Sequence, residues 1–359
     1  LPWSAAEQHA CRSSVAIFDQ PSFSKYVVHG PDAEAALQWI CSNDVAVAND
    51  ETVYTALLNS RGGYESDLTV TRVADDEFFL VSSSATTERD QDWIRRNIPA
   101  GLDAHIADLT DRLSVLGVMC PSSRQLLSRL TGADLSEDGF AFGMSREIEL
   151  AGATIRATRI TYVGELGWEL YIANDDALQV YDAIKGAGAD LGLVDAGSYA
   201  IEAMRLEKGY RAFGRELTPE ITPVEAGLSF TCKLGTDIDF IGRTAVEKAK
   251  AAGPSRRIVS FACEDSDVMI WGGELLVRDG VAAGQAMSGS WGATVGAGVG
   301  LAWVNAPAGQ IADAAYVRDG SYQLDVGGRR IPVRVTLKPL YDPSGENIRP
   351  RATTGKSGE

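Results

Sequence analysis

The sequence predicts an α+β fold closed at its C-terminal end by a small β-barrel. Three observations carry this. First, up to about residue 110 the patterns run strand, helix, strand, strand, strand, which is neither a helical bundle nor a regular βαβ repeat. Second, mixed helices and strands continue to about residue 250. Third, from Pro254 onward short strands recur at close spacing, separated by Gly-Gly, Asp-Gly and Pro-Ala-Gly turns. A length of 359 residues suits two or three packed units with a sizeable core. We read residues 1–250 as the main domain, 251–350 as the barrel and 351–359 as a frayed tail.

The elements follow in order. Residues 1–10 read as a short helix and 22–30 as a strand. Pro31 opens a helix that extends towards Asp44, with Asp32 available to its first turn. A hairpin follows, ETVYTALLN and ESDLTVTRV around the turn SRGGY, and then the strand EFFLVSSS. The helix from Thr87 is stopped by Pro99. AHIADLT and LSVLGVM are short strands, and PSSRQLLSRLTGADL is a helix opened by Pro121. Strands surround residues 147–162. TYVGELGWELYI (161–172) reads as a strand, a turn at Gly164 and Gly167, and a second strand. A helix starts at the N-cap candidate Asn174. The next starts near Asp195 or Ser198 and stops at Gly209. The barrel strands are placed at 256–263, 275–278, 284–288, 299–304, around Tyr316 and at 330–337.

Composition narrows the function. A net charge of −16 argues against nucleic acid or an anionic membrane as the main partner, while leaving room for a small anion on a local basic patch. No apolar run reaches 18 residues, so no membrane span is expected. The five cysteines are scattered and odd in number, which reads as reduced, buried thiols in a cytoplasmic setting. The three histidines show no metal-ligand spacing, and no metal site is expected. No signal peptide is visible. The start at Leu1 rather than Met points to a processed product or a piece of a longer chain. GAGVG (296–300) has a Gly-x-Gly spacing but no helix after it, so it reads as strand and turn. No flavin or nicotinamide fingerprint occurs.

Two stretches carry chemistry. In the second strand of 161–172, Trp168, Leu170 and Ile172 share one face, and Glu169 and Tyr171 the other. An exposed strand position is the plainer reading of Glu169. The functional one is a carboxylate accepting two adjacent N–H donors. Further on, AMRLEKGYRAFGRELTP places Arg205 and Lys208 in the last turn of a helix, followed by Tyr210, Arg211, Phe213 and Arg215. The two cations suit the helix macrodipole, or they clamp ligand carboxylates. In the hairpin, Glu65, Asp67, Thr69 and Thr71 share a face, either solvated or functional. Mutual repulsion of Glu65 and Asp67 would raise one pKa, and Asp67 could then orient a ligand or act as a base.

In order, SSVAIFDQPSFSKYVVHGPDAEA, NSRGGYESDLTV, TYVGELGWELYI, RLEKGYRAFGRELTPEITPVEAGL, SGSWGATVG and KPLYDPSGENIR resemble the folate-binding family of the glycine cleavage T-protein. In style they are closest to the folate domain of dimethylglycine and sarcosine dehydrogenases and oxidases. The resemblance covers nearly the whole chain. It implies a three-lobed aminomethyltransferase-type fold with a C-terminal barrel and tetrahydrofolate as cofactor. It implies Asp67 as the catalytic carboxylate and Glu169, Tyr162, Arg205, Tyr54 and Trp291 as the binding set.

The implied reaction is transfer of a one-carbon unit, as an iminium or formaldehyde from an N-methyl amine, to give 5,10-methylenetetrahydrofolate. With no flavin fold here, the oxidation implies a flavin-dependent oxidase domain or subunit as partner. Two alternatives stay open: demethylation giving 5-methyltetrahydrofolate, and folate binding without turnover. Against the second, relatives of the iron–sulfur assembly type carry a cysteine where this chain has Tyr210.

Overall fold

The computed structural model describes residues 2–265 and 268–349. Leu1 and the tail 351–359 lie outside the described residues. The strands are β1 (Ala16–Asp19), β2 (Ser24–His29), β3 (Thr52–Leu58), β4 (Tyr64–Ala74), β5 (Glu77–Ser82) and β6 (His105–Asp108). Next come β7 (Leu113–Met119), β8 (Ser145–Leu150), β9 (Ala153–Thr158), β10 (Gly167–Ala173) and β11 (Val194–Ala196). The last six are β12 (Arg256–Cys263), β13 (Leu275–Arg278), β14 (Val281–Gly292), β15 (Ala297–Asn305), β16 (Tyr322–Val326) and β17 (Arg329–Thr336).

These strands build three bodies. One is a six-stranded sheet in the order β11-β1-β7-β10-β9-β8, another a five-stranded sheet β3-β4-β5-β2-β6. The third is a closed barrel β12-β15-β14-β13-β16-β17. The α+β class and the C-terminal barrel therefore stand as the sequence predicts. Each sheet buries one face against helices. Trp168, Leu170 and Ile172 of β10 pack into a core with Val180 and Ile184 of the helix Asn174–Gly188. Leu68 and Val70 of β4 pack with Leu37 and Ile40 of the helix Ala33–Ile40.

The opposite faces of the two sheets meet. Phe79 and Val81 of β5 pack on Val115 of β7 and Tyr171 of β10, with the Phe79 and Tyr171 rings edge to face at 5.0 Å. A separate core seats the barrel on the body, joining Ala56, Leu58 and Tyr64 to Ile258, Val299 and Leu301.

Several expectations are corrected. Cys11 and Cys120 form a disulfide that ties the first helix, Pro2–Ser13, to the end of β7, while Cys41, Cys232 and Cys263 are buried thiols. Tyr316 lies in a short helix, Ala314–Arg318, because the Asp313 carboxylate caps the Tyr316 amide at 2.8 Å. The helix opened by Pro121 is only Ser123–Leu127. Asn174 is the first helical residue rather than the cap, since its side chain instead bonds Ser114 and the Asp111 carbonyl. Residues 161–166 contain no strand. The Thr161 hydroxyl accepts from the amides of Val163, Gly164 and Glu165, which folds the segment into a turn.

Candidate functional site

The alternation of β10 sends Glu169 and Tyr171 to the side away from the Trp168 core. That side faces the second sheet. Glu169 is therefore only 8% exposed, and the plain surface reading of it fails. Its Oε2 accepts the Tyr171 hydroxyl at 2.6 Å, and its Oε1 takes no hydrogen bond from any described residue. Burial holds its pKa above the usual carboxylate range, against the pull of the tyrosine bond.

The neighbours of Glu169 across the sheet are Thr158 on one side and Gly117 on the other. Gly117 has no side chain, and Gln20 takes the space over it: a Cβ on Gly117 would lie 2.4 Å from Gln20 Oε1. That oxygen is buried and has no hydrogen-bond partner among the described residues.

On the opposing sheet, the parity of β4 puts Asp67 on the same face as Thr69 and Thr71, opposite Val81 and Phe79 of β5. Asp67 Oδ2 accepts the Tyr54 hydroxyl at 2.8 Å, and Oδ1 takes no hydrogen bond from another described residue. Its pKa is pushed up to about 6, chiefly by burial. This corrects the electrostatic reading of the hairpin. The like charges that add to burial are Asp90 and Glu216 rather than Glu65, whose carboxylate is bound by Asn59 and Arg89.

Tyr162 lies within electrostatic reach of both Asp67 and Tyr54. Its ring stacks on Tyr210 at 5.9 Å and its hydroxyl donates to the Arg211 carbonyl at 3.1 Å. Burial raises its pKa.

Arg205 and Lys208, read from the sequence as a ligand clamp, are engaged with the protein itself. Arg205 is fully buried and spends all five N–H donors inside the protein. It contacts Glu202 twice, Glu216, the Tyr210 carbonyl and Ser288. Lys208 binds the Asp342 carboxylate and carbonyl, each at 2.7 Å. Both hold the wall together. Trp291 also stands apart from the others. It lines a surface groove with Trp3, Tyr199, Glu202 and Arg215, and neither Asp67 nor Glu169 lines that groove.

Sequence reasoning missed three contributors. Tyr171 was placed on the right face, but its grip on Glu169 was not seen. Gln20 and Gly117 were missed entirely, because a single glycine in an apolar strand gives no sign of the side chain that will cross it.

A model of the GCVT N-terminal domain matches residues 2–236, and one of the glycine cleavage T-protein C-terminal barrel domain matches residues 256–342. The chain belongs to the glycine cleavage T-protein family. An aminomethyltransferase of Listeria welshimeri is 32% identical, covering 94% of this chain and 89% of its own. Sarcosine dehydrogenase of Mus musculus is 36% identical over 95% of this chain. The formaldehyde-forming 4-methylaminobutanoate oxidase of Paenarthrobacter nicotinovorans is 38% identical over 96%. The chain spans only 38% and 41% of the length of those two proteins. In fold it matches aminomethyltransferase T of the glycine cleavage system of Bartonella henselae, with a TM-score of 0.82 at 23% identity, covering 94% of this chain and 89% of that one.

Proposed function

We propose that the chain binds a reduced folate between its two sheets and loads it with a one-carbon unit derived from an N-methyl amine, giving 5,10-methylenetetrahydrofolate. One observation carries the reading. Two carboxylates, Glu169 and Asp67, look into the same inter-sheet space. Each has one oxygen fixed by a tyrosine hydroxyl, and the other takes no hydrogen bond from another described residue. Unsatisfied acceptors in a half-closed space call for ligand donors.

A reduced folate fits this donor set. Its pterin edge carries adjacent N–H groups, and its amine nitrogens supply the nucleophile for a one-carbon unit. Glu169, pre-oriented by Tyr171, accepts the pterin N–H donors. Asp67, oriented by Tyr54, holds and removes a proton at the reacting amine, and its negative charge stabilises a cationic iminium. With a pKa of about 6 it is a competent base at neutral pH. Tyr162 and Tyr210 offer a flat aromatic wall. The oxidation that produces the iminium or formaldehyde belongs to a flavin-dependent domain or subunit in our reading, in keeping with the longer dehydrogenase and oxidase relatives.

The test is to titrate the protein with tetrahydrofolate, then add formaldehyde or an N-methyl donor with its oxidase and follow methylene-folate above the uncatalysed rate. Glu169→Gln should weaken binding roughly 10- to 150-fold, the loss of one charge-assisted hydrogen bond of about 1.5–3 kcal/mol. A methyl-folate product would redirect the chemistry to direct demethylation. Tight binding without product would make the chain a folate-binding protein.

A further inference from the structure

Positive charge is held in two ways around this site. Arg205 has all five donors spent on the protein, and Lys208 is paired with Asp342. Arg211 is open. Its Nε donates to the Ala226 carbonyl at 3.1 Å and its Nη1 to the Gly209 carbonyl, while Nη2 donates to no described residue. Three of its five N–H donors are therefore unspent. Among the described residues no carboxylate pairs with it, although the chain has 49 acidic residues to 33 basic ones. Glu216 is the carboxylate whose charge reaches it, but the Glu216 oxygens are bonded to Arg205, the Ala212 amide and Ser288, so the free N–H groups of this half-buried cation have no acceptor among the described residues.

The surroundings fix this guanidinium. The two carbonyl bonds set its plane, and the Arg211 carbonyl is itself held by the Tyr162 hydroxyl. Nη2 lies against Gly227, where an added Cβ would stand 3.4 Å away. The charge reaches the hydroxyls of Tyr54, the partner of Asp67, and Tyr64, whose hydroxyl is buried without a hydrogen bond. Arg257, also without an ion pair among the described residues, adds positive potential nearby.

We propose that Arg211 is the receptor for a ligand carboxylate at the Tyr54–Asp67 end of the inter-sheet site. A planar fork with parallel free donors takes a carboxylate side by side. The inference rests on the folate reading for the nature of its occupant. Two sources carry that group: the glutamate tail of a folate, or the carboxylate of an N-methylated amino acid that donates the carbon.

Calorimetric titration of wild type and Arg211→Met separates these sources. The probes are tetrahydrofolate, 6-methyltetrahydropterin (the ring without a tail), N-(4-aminobenzoyl)glutamate (the tail without a ring) and N-methylglycine. If the tail is the occupant, Arg211→Met weakens tetrahydrofolate and aminobenzoylglutamate at least tenfold and leaves methyltetrahydropterin unchanged. If the amino acid is the occupant, only N-methylglycine binding falls. Arg211→Lys should recover part of either loss, since it keeps the charge and gives up the fork, and it stands in for the methionine variant should that one misfold. Equal affinities of wild type and Arg211→Met for every carboxylate probe overturn the proposal. If wild type binds neither pteridine, the folate reading fails, and the two remaining probes still decide whether Arg211 holds a carboxylate.

Discussion

Asp67 and Arg205 show how little a residue's type says about its work. Arg205 has the charge expected of a ligand clamp, and its neighbours use every donor it has. Asp67 has an unused oxygen and a pKa pushed up to about 6. If its ionised form is the base, kcat/KM should rise with pH through about 6 and level off above. Asp67→Asn should abolish that limb and lower kcat by on the order of a hundredfold while leaving folate affinity nearly unchanged. Stability should respond with the opposite sign. A carboxyl whose folded pKa lies above its unfolded value of 3.8 favours the folded state at low pH, and that contribution is lost as pH rises through about 6. The Asn variant should therefore melt above wild type at pH 8 and converge with it near pH 4. A variant that melts below wild type at both values would mean that Asp67 is a structural acceptor.

At the scale of elements, the site depends on which strand faces which. The alternation in β10 and β4 was legible, because apolar residues at every second position leave the intervening ones on the other side. Glu169, Tyr171 and Asp67 could thus be assigned to faces from the sequence. The fate of those faces could not, since solvent and a second sheet leave the same alternation. The turn at 161–166 misled for a local reason: three amides converge on one threonine hydroxyl in a stretch whose β-branched and aromatic residues read as strand. Gly117 on β7 offers a direct check of the inter-sheet space. In Gly117→Ala the new methyl meets the Gln20 tip at 2.4 Å and the end of Met119 at 3.3 Å, both at flexible ends, so the fold should survive with a small change in Tm. The methyl and the displaced Gln20 would crowd the space beside Glu169, and tetrahydrofolate binding should fall by roughly tenfold. Unchanged affinity would move the ligand away from this strand.

Across the whole molecule, one buried charge cluster joins first helix, turn, body helix and barrel. Arg12 donates to Glu165 and Glu207 at 2.9 Å each and stacks 4.0 Å over the Tyr341 ring. Glu207 in turn accepts the amides of Thr294 and Val295, and its carbonyl accepts those of Leu340 and Tyr341. Such a hub draws on residues from both ends of the chain, which is why no local pattern announced it. Arg12→Met would leave two buried carboxylates without their cation, costing about 3–5 kcal/mol and lowering Tm by roughly 5–10 °C. Calorimetry should show this as a shift of one cooperative transition. A separate early transition for the barrel would contradict the shared cluster.

The contact between Tyr64 and the barrel core has a mechanical consequence. Tyr64 begins the strand that carries Asp67, and it is packed with Ile258, Val299 and Leu301. The hairpin is thus held at its turn end by the barrel core as well as by its own sheet. A substitution that loosens this core at Ile258, Val299 or Leu301 therefore acts on the first residue of β4, three positions before Asp67.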